Sequence, residues 1–226
     1  MVWVFNNLTD IWQHTLEHLQ IALPPIILSF IIAIPLGWLA NRFRPARGTI
    51  LTIASLLYAI PSLPLLIVIP VLIGTGLQDP SNIVIALTLY GIALMARSAA
   101  DGLRSVDPDI QQSATAMGYS VWSQFWMVEF PLAGPVLLAG IRVVSVSTIS
   151  LTTVGGVIGI PGLGLLFTDG FQRGLTEEIV TGIVLVIIIA VVMDTILVLL
   201  GRWLMPWTRV ASPAVLRRRT QREVAA

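Results

Sequence analysis

Two ionisable side chains, Arg142 and Asp194, interrupt long apolar runs in this chain. They stand at similar distances from the ends of their runs, so as helices rising about 1.5 Å per residue they lie at similar depth. A lone charge in an apolar interior is costly, so the two are expected to approach one another, directly or through water, within one chain or between two. Such a pair pins two helices together or takes part in gating. Ser145, Thr148 and Thr152 recur at helical spacing nearby. Their hydroxyls line a polar route between helices, or act as glue between them. Tyr58 and Tyr90 are aromatic faces within apolar runs on which a quaternary ammonium group could lie. His14 and His18, with Glu17 beside them, have the spacing of a metal-ligating pair, although ordinary surface histidines are the simpler account. All 13 basic residues are arginine and cysteine is absent. Without lysine there is no G-x-x-x-x-G-K-S/T phosphate loop, and without cysteine no disulfide or thiolate metal site. A P-loop nucleotide site is therefore excluded on this chain, and no covalent chemistry is expected here.

The elements that position these groups must be membrane helices. Hydrophobic residues make up 56% of the 226 and charged residues 11%, whereas a soluble domain carries about 25% charged residues. Mean hydropathy is +0.89. Five stretches reach the roughly 20 apolar residues that cross a bilayer: 20–40, 50–74, 82–100, 132–151 and 179–204. The expected fold is all-α and integral to the membrane. Pro61, Pro64 and Pro70 should kink or break the second span, since proline removes a helical donor. Residues 1–19 form a lead-in that lies at the interface or simply extends the first span outwards. Residues 20–205 form the transmembrane domain, and 206–226 a basic tail attracted to anionic lipid.

Orientation comes from the arginines. Arg42, Arg44, Arg47, Arg97, Arg104, Arg202, Arg209, Arg217, Arg218, Arg219 and Arg222 fall on one side of a five-span chain, and Arg173 stands on the other. The positive-inside rule then puts the N-terminus outside and the C-terminus in the cytoplasm. Trp3, Trp12, Trp38, Trp203 and Trp207 mark span ends in the manner of an interfacial belt, with Trp122 and Trp126 in the cytoplasmic loop. The glycine-rich stretch 155–164 is external and too broken to span, so it forms a tight turn.

The cytoplasmic segment 105–131, between the third and fourth spans, is more elaborate than a chain reversal requires. Asp107 before Pro108 is a helix start, and Gly118 suits the left-handed residue that ends a helix. Ser120 caps a second short helix, and Pro131 marks re-entry into the membrane. Two short helices meeting at a glycine form a docking handle for a soluble partner. The run Gln112-Ser113-Ala114, then Gly118-Tyr119, then Val128 and Pro131 resembles the coupling loop of bacterial ATP-driven importer permeases. That pattern reads E-A-A-x-x-x-G, nine residues, then I-x-L-P. Gln112 replaces its glutamate, keeping reach without charge, while Ser113 and Phe130 replace an alanine and the leucine.

Leu36-Gly37, Ala59-Ile60-Pro61-Ser62-Leu63-Pro64, the run from Gly102 to Pro108, Leu138-Ala139-Gly140-Ile141-Arg142 and the run from Gly159 to Gly164 are similar to osmoprotectant importer permeases. The resemblance implies a non-enzymatic subunit of a bacterial inner-membrane importer for glycine betaine, choline or carnitine. It implies a second permease, two ATP-binding subunits that hold the ATP and magnesium, and an external solute-binding protein. No cofactor is implied on this chain and no nucleic acid partner. A permease for an amino acid such as methionine is the alternative, followed by a stand-alone secondary carrier.

Overall fold

The computed structural model describes residues 2–208. Arg209, Arg217, Arg218, Arg219 and Arg222, with most of the expected tail, lie outside the described residues. The first helix, α1, is short (Val2–Asn6). The second, α2, runs unbroken from Leu8 to Arg42. Its 35 residues rise about 50 Å, well beyond hydrocarbon thickness. The lead-in and the first span are therefore one helix from residue 8 onward, with Pro24, Pro25 and Pro35 absorbed inside it.

Phe43 interrupts the helix, and α3 follows (Arg44–Ala59), then α4 (Ser62–Ile73). These two meet at 103°. The physical cause is local: Ile60, preceding proline, is extended at ψ 127, and Pro61 has no N–H to continue the ladder. The hydroxyl of Tyr90 donates to the freed Ile60 carbonyl at 2.6 Å. Helix α4 ends at Gly74, in the left-handed region at φ +81.

Helix α5 (Pro80–Arg104) starts at Asp79, whose carboxylate accepts the Ser81 N–H at 2.9 Å. That backbone bond and then the Ser81 hydroxyl hold the Asp79 carboxyl below the usual carboxylate range. After it come α6 (Pro108–Ala116), α7 (Val121–Gln124) and α8 (Phe130–Thr152). A short 3-10 stretch, Thr153–Ile158, and the expected tight glycine turn lead to α9 (Gly164–Arg173) and α10 (Thr176–Leu204). Four helical segments are long and apolar enough to cross a membrane, or five if the bent α3–α4 pair counts as one span.

Helix α5 is the hub, packed between α2 and α8 through small residues that let backbones approach. Ala86, Ala93, Ala96, Ala99 and Ala100 are all buried there. A Cβ built on Gly91 would stand 2.6 Å from Ser29 of α2 and 3.3 Å from Val144 of α8. We expect Gly91→Val to depress the yield of folded protein, since overpacking costs about 1–3 kcal/mol. Gly48→Val, where nothing lies within 4 Å, serves as the comparison. Equal yields of the two in detergent size-exclusion profiles would refute the three-helix contact.

At one end of the bundle, Asn41 donates to the Ala100 carbonyl at 2.7 Å and Arg47 to Asp101 at 2.9 Å. Arg47 also donates to Asn41. The C-terminal ends of α2 and α5 are thus side by side, so the α3–α4 pair returns the chain between two parallel helices. At the opposite end, His18 of α2 meets the Ile149 carbonyl of α8 at 3.0 Å.

Candidate functional site

The segment 105–131 builds its shape from its own caps. Asp107 accepts the Asp109 N–H at 2.8 Å, with Pro108 at the first helical position. At the far end Gly118 takes φ +86. Its N–H reaches the Thr115 carbonyl at 3.0 Å, and the Tyr119 N–H reaches Ala114 at 3.1 Å. Those two bonds are the six-to-one and five-to-two pair that closes a helix through a left-handed residue. Ser120 then caps α7 by accepting the Ser123 N–H at 3.3 Å. Across the turn, the Thr115 hydroxyl lies 3.2 Å from Gln124 Oε1, and the Gln124 amide donates to Glu129 at 3.0 Å.

One expectation is corrected here. Helix α7 is not a separate short helix followed by re-entry at Pro131. Residues 121–158 run as one helical segment, with a widened turn at Phe125–Glu129. Pro131 has no N–H for the carbonyl four residues back, and its ring crowds that carbonyl. The Phe130 N–H bonding to Phe125, five residues back, opens the room that the ring needs. Helix α7 and the fourth span are consequently one rod.

Phe125, one of several apolar residues in this segment, anchors that rod. It is 4% exposed and its ring centroid lies 5.0 Å from Trp126, 6.0 Å from Phe130 and 6.2 Å from Trp38 of α2. The aromatic spacing at 122, 125, 126 and 130 was the available clue. Trp122 and Trp126 belong to this cluster as well as marking an interface. Of the residues carried by the resemblance, Ala114 is buried. Gln112, Ser113, Gly118 and Tyr119 are exposed, and Val128 and Pro131 are half-buried. Around them Met117 is 70% exposed and Trp122 68%, an apolar surface that no other described residue covers.

Within the spans, Arg142 donates from Nε to Asp194 Oδ1 at 2.6 Å and from Nη2 to Oδ2 at 2.8 Å. This two-bond fork joins α8 to α10. Both side chains stay partly open, 41% for Arg142 and 31% for Asp194. Ser145, Thr148 and Thr152 are buried within this one chain. Ser145 donates to the Ile141 carbonyl and Thr152 to that of Thr148, each at 2.8 Å. Tyr90 is buried, edge-on to Tyr58 with ring centroids 5.9 Å apart. Tyr58 keeps an open face.

The two histidines do not converge. His14 meets Glu17 at 3.0 Å, whereas His18 is fully buried on the face of α2 that α8 covers. Calling both surface histidines is therefore wrong for His18. Among the described residues no three His, Asp or Glu side chains gather as a metal site would require.

The profile of the binding-protein-dependent transport system inner membrane component family matches residues 26–210. The chain is 34% identical over 201 residues to the choline transport system permease protein OpuBB of Bacillus subtilis, covering 89% of this chain and 91% of that one. It is 31% identical over 206 residues to the glycine betaine/carnitine/choline transport system permease protein OpuCB of the same organism, covering 91% and 94%. The osmoprotectant import permease protein OsmW of Salmonella typhimurium is 32% identical over 198 residues, covering 86% and 92%. Among solved structures, an inward-facing form of the MetNI methionine ABC transporter shares the fold with a TM-score of 0.77 at 20% identity, covering 90% and 97%.

Proposed function

This chain belongs to the binding-protein-dependent transport system inner membrane component family, and from that premise we propose that it is the membrane-spanning subunit of an ATP-driven importer for quaternary ammonium compatible solutes. The observation that carries the solute class is the identity of 31–34% to choline, glycine betaine and osmoprotectant permeases across nearly the whole chain. The methionine transporter shares the fold at 20% identity, which says nothing of the solute. Two permeases form the path, a solute-binding protein delivers cargo from outside, and two ATPase subunits dock from the cytoplasm.

The docking site is the exposed surface around Gly118. Its support is threefold: self-capped helices that hold their shape, exposed Met117 and Trp122, and rigid continuity into α8. A displacement of α6 and α7 by an ATPase is carried along the 121–158 rod, and the Arg142–Asp194 fork passes it to α10. Alternating access needs this kind of rigid-body movement between two packings. The positive-inside rule supports an outside N-terminus, with Arg42, Arg104 and Arg202 in the last turns of α2, α5 and α10. Arg173 at the other end lies 3.8 Å from Glu178, so its charge is partly offset.

The test is reconstitution of the full chain with its ATPase and binding-protein partners in proteoliposomes. Labelled choline, glycine betaine, carnitine and methionine are supplied outside, with ATP inside. ATP-dependent uptake of at least one quaternary ammonium solute, and none of methionine, is expected. Methionine uptake would move the chain to the amino-acid reading, and uptake without the ATPase would make it a carrier.

A further inference from the structure

A polar cleft of about 600 Å³ lies where the ends of α2 and α5 meet the start of α3 and the docking segment. That size falls within the roughly 300–1,000 Å³ of small-ligand sites. Three arginines line it, Arg42, Arg47 and Arg104. Arg47 is already committed to Asn41 and Asp101. Arg42 and Arg104 make no ion pair or hydrogen bond to any other described residue. The one carboxylate in the lining, Glu129, accepts from the Gln124 amide. Even with Glu129 and Asp101 counted, arginines outnumber carboxylates in a cleft whose walls are fixed by hydrogen bonds. Two unpaired guanidinium groups in the lining leave the cleft with net positive charge, which attracts an anion.

We propose that this cleft binds a phosphate group, carried by an anionic lipid headgroup or free in solution. Guanidinium groups offer paired donors that match phosphate oxygens, and basic pockets between membrane helices on the cytoplasmic side are where lipid headgroups lodge. Trp38 lines the same cleft, the residue type that marks headgroup depth. Gln111, Val121 and Gln124 of the docking segment form the opposite wall. An occupied cleft therefore braces α6 and α7 against α2 and α5, and ties the docking handle to the adjoining leaflet. The inference stands apart from which solute is carried, and uses the membrane orientation only to choose the leaflet.

The experiment measures unfolding of the delipidated full chain in mild detergent by tryptophan fluorescence, with no transport readout. The probes are dioctanoyl phosphatidylglycerol, dioctanoyl phosphatidylcholine and inorganic phosphate. Phosphatidylglycerol is expected to raise the midpoint saturably and phosphatidylcholine not to, since its own cation meets the arginines. The Arg42→Gln/Arg104→Gln double variant should need about tenfold more phosphatidylglycerol, for a loss near 1.4 kcal/mol per decade. Arg42→Lys/Arg104→Lys should retain most of the binding, and Arg97→Gln, outside the cleft, all of it. If inorganic phosphate reproduces the saturable rise, the anion comes from solution. If only phosphatidylglycerol does, it comes from lipid. Equal phosphatidylglycerol binding by wild type and the Gln double variant overturns the proposal. So does an Arg97→Gln loss as large as that of the double variant. Should wild type bind neither probe while the double variant fails to co-purify with the ATPase, the arginines serve an acidic protein contact and the proposal is overturned.

Discussion

Gly118→Val should lower ATP-driven uptake by about tenfold or more while the chain still inserts and folds. The reason is confined to one backbone angle. Gly118 sits at φ +86, where an L-residue costs about 1–2 kcal/mol and a β-branched one more; each 1.4 kcal/mol is about a factor of ten in an equilibrium. No atom lies within 4 Å of where its Cβ would be, so crowding contributes nothing and strain is the whole effect. A strained turn relaxes by losing the two closing bonds to Thr115 and Ala114, and α6 then swings relative to α7. The bundle below stays intact, because Ala114 and Phe125 hold their own contacts. Asparagine tolerates the left-handed region better than other side chains, so uptake should rank Gly, Asn, Ala, Val. Measurement of uptake and ATPase co-purification across that series decides the matter. Equal activity of Asn and Val variants would show that the turn conformation is not what the partner reads.

The caps of this segment were readable because they are local chemistry: an Asp-Pro start and a glycine stop need no knowledge of the rest of the chain. The break at Ile60 and Pro61 was legible for the same reason. What escaped was set by packing or by continuity. Nothing between residues 8 and 42 stops a helix except prolines, which membrane helices absorb, so an interfacial lead-in and an outward extension of the first span were equally open, and the extension is what forms. The widened turn before Pro131 has no residue code of its own, and the fourth span was read as starting afresh there. His18 is buried because α8 crosses α2 at that point, a long-range fact invisible in the spacing of two histidines. Ser145, Thr148 and Thr152 illustrate the limit most clearly. Their spacing gives a shared helix face, but only the fold shows that it is buried within one chain. The arginines of the cleft were counted for orientation, and their convergence depended on three helix ends meeting.

The Arg142–Asp194 fork makes the other large prediction, and the two partners should differ in what their loss does. Asp194→Asn leaves a guanidinium between apolar helices, and arginine stays charged under any attainable condition. Arg142→Gln leaves a carboxyl that can take up a proton and become neutral in apolar surroundings. The first variant should therefore be the more damaging in yield, with uptake down by at least about tenfold, as expected for an unpaired charge at membrane depth. The exchanged pair, Arg142→Asp with Asp194→Arg, restores one charge of each sign at the same depth and should recover much of the folded yield. Its geometry need not restore transport, because the fork of 2.6 and 2.8 Å depends on which helix carries the longer side chain. This split separates two roles. Recovery of both yield and uptake means the pair serves to hold α8 to α10. Recovery of yield alone means that its partly open faces, 41% and 31% exposed, also act in the movement between packings. If the exchanged pair is no better than the single variants in either measurement, the ion pair is not what joins the two helices.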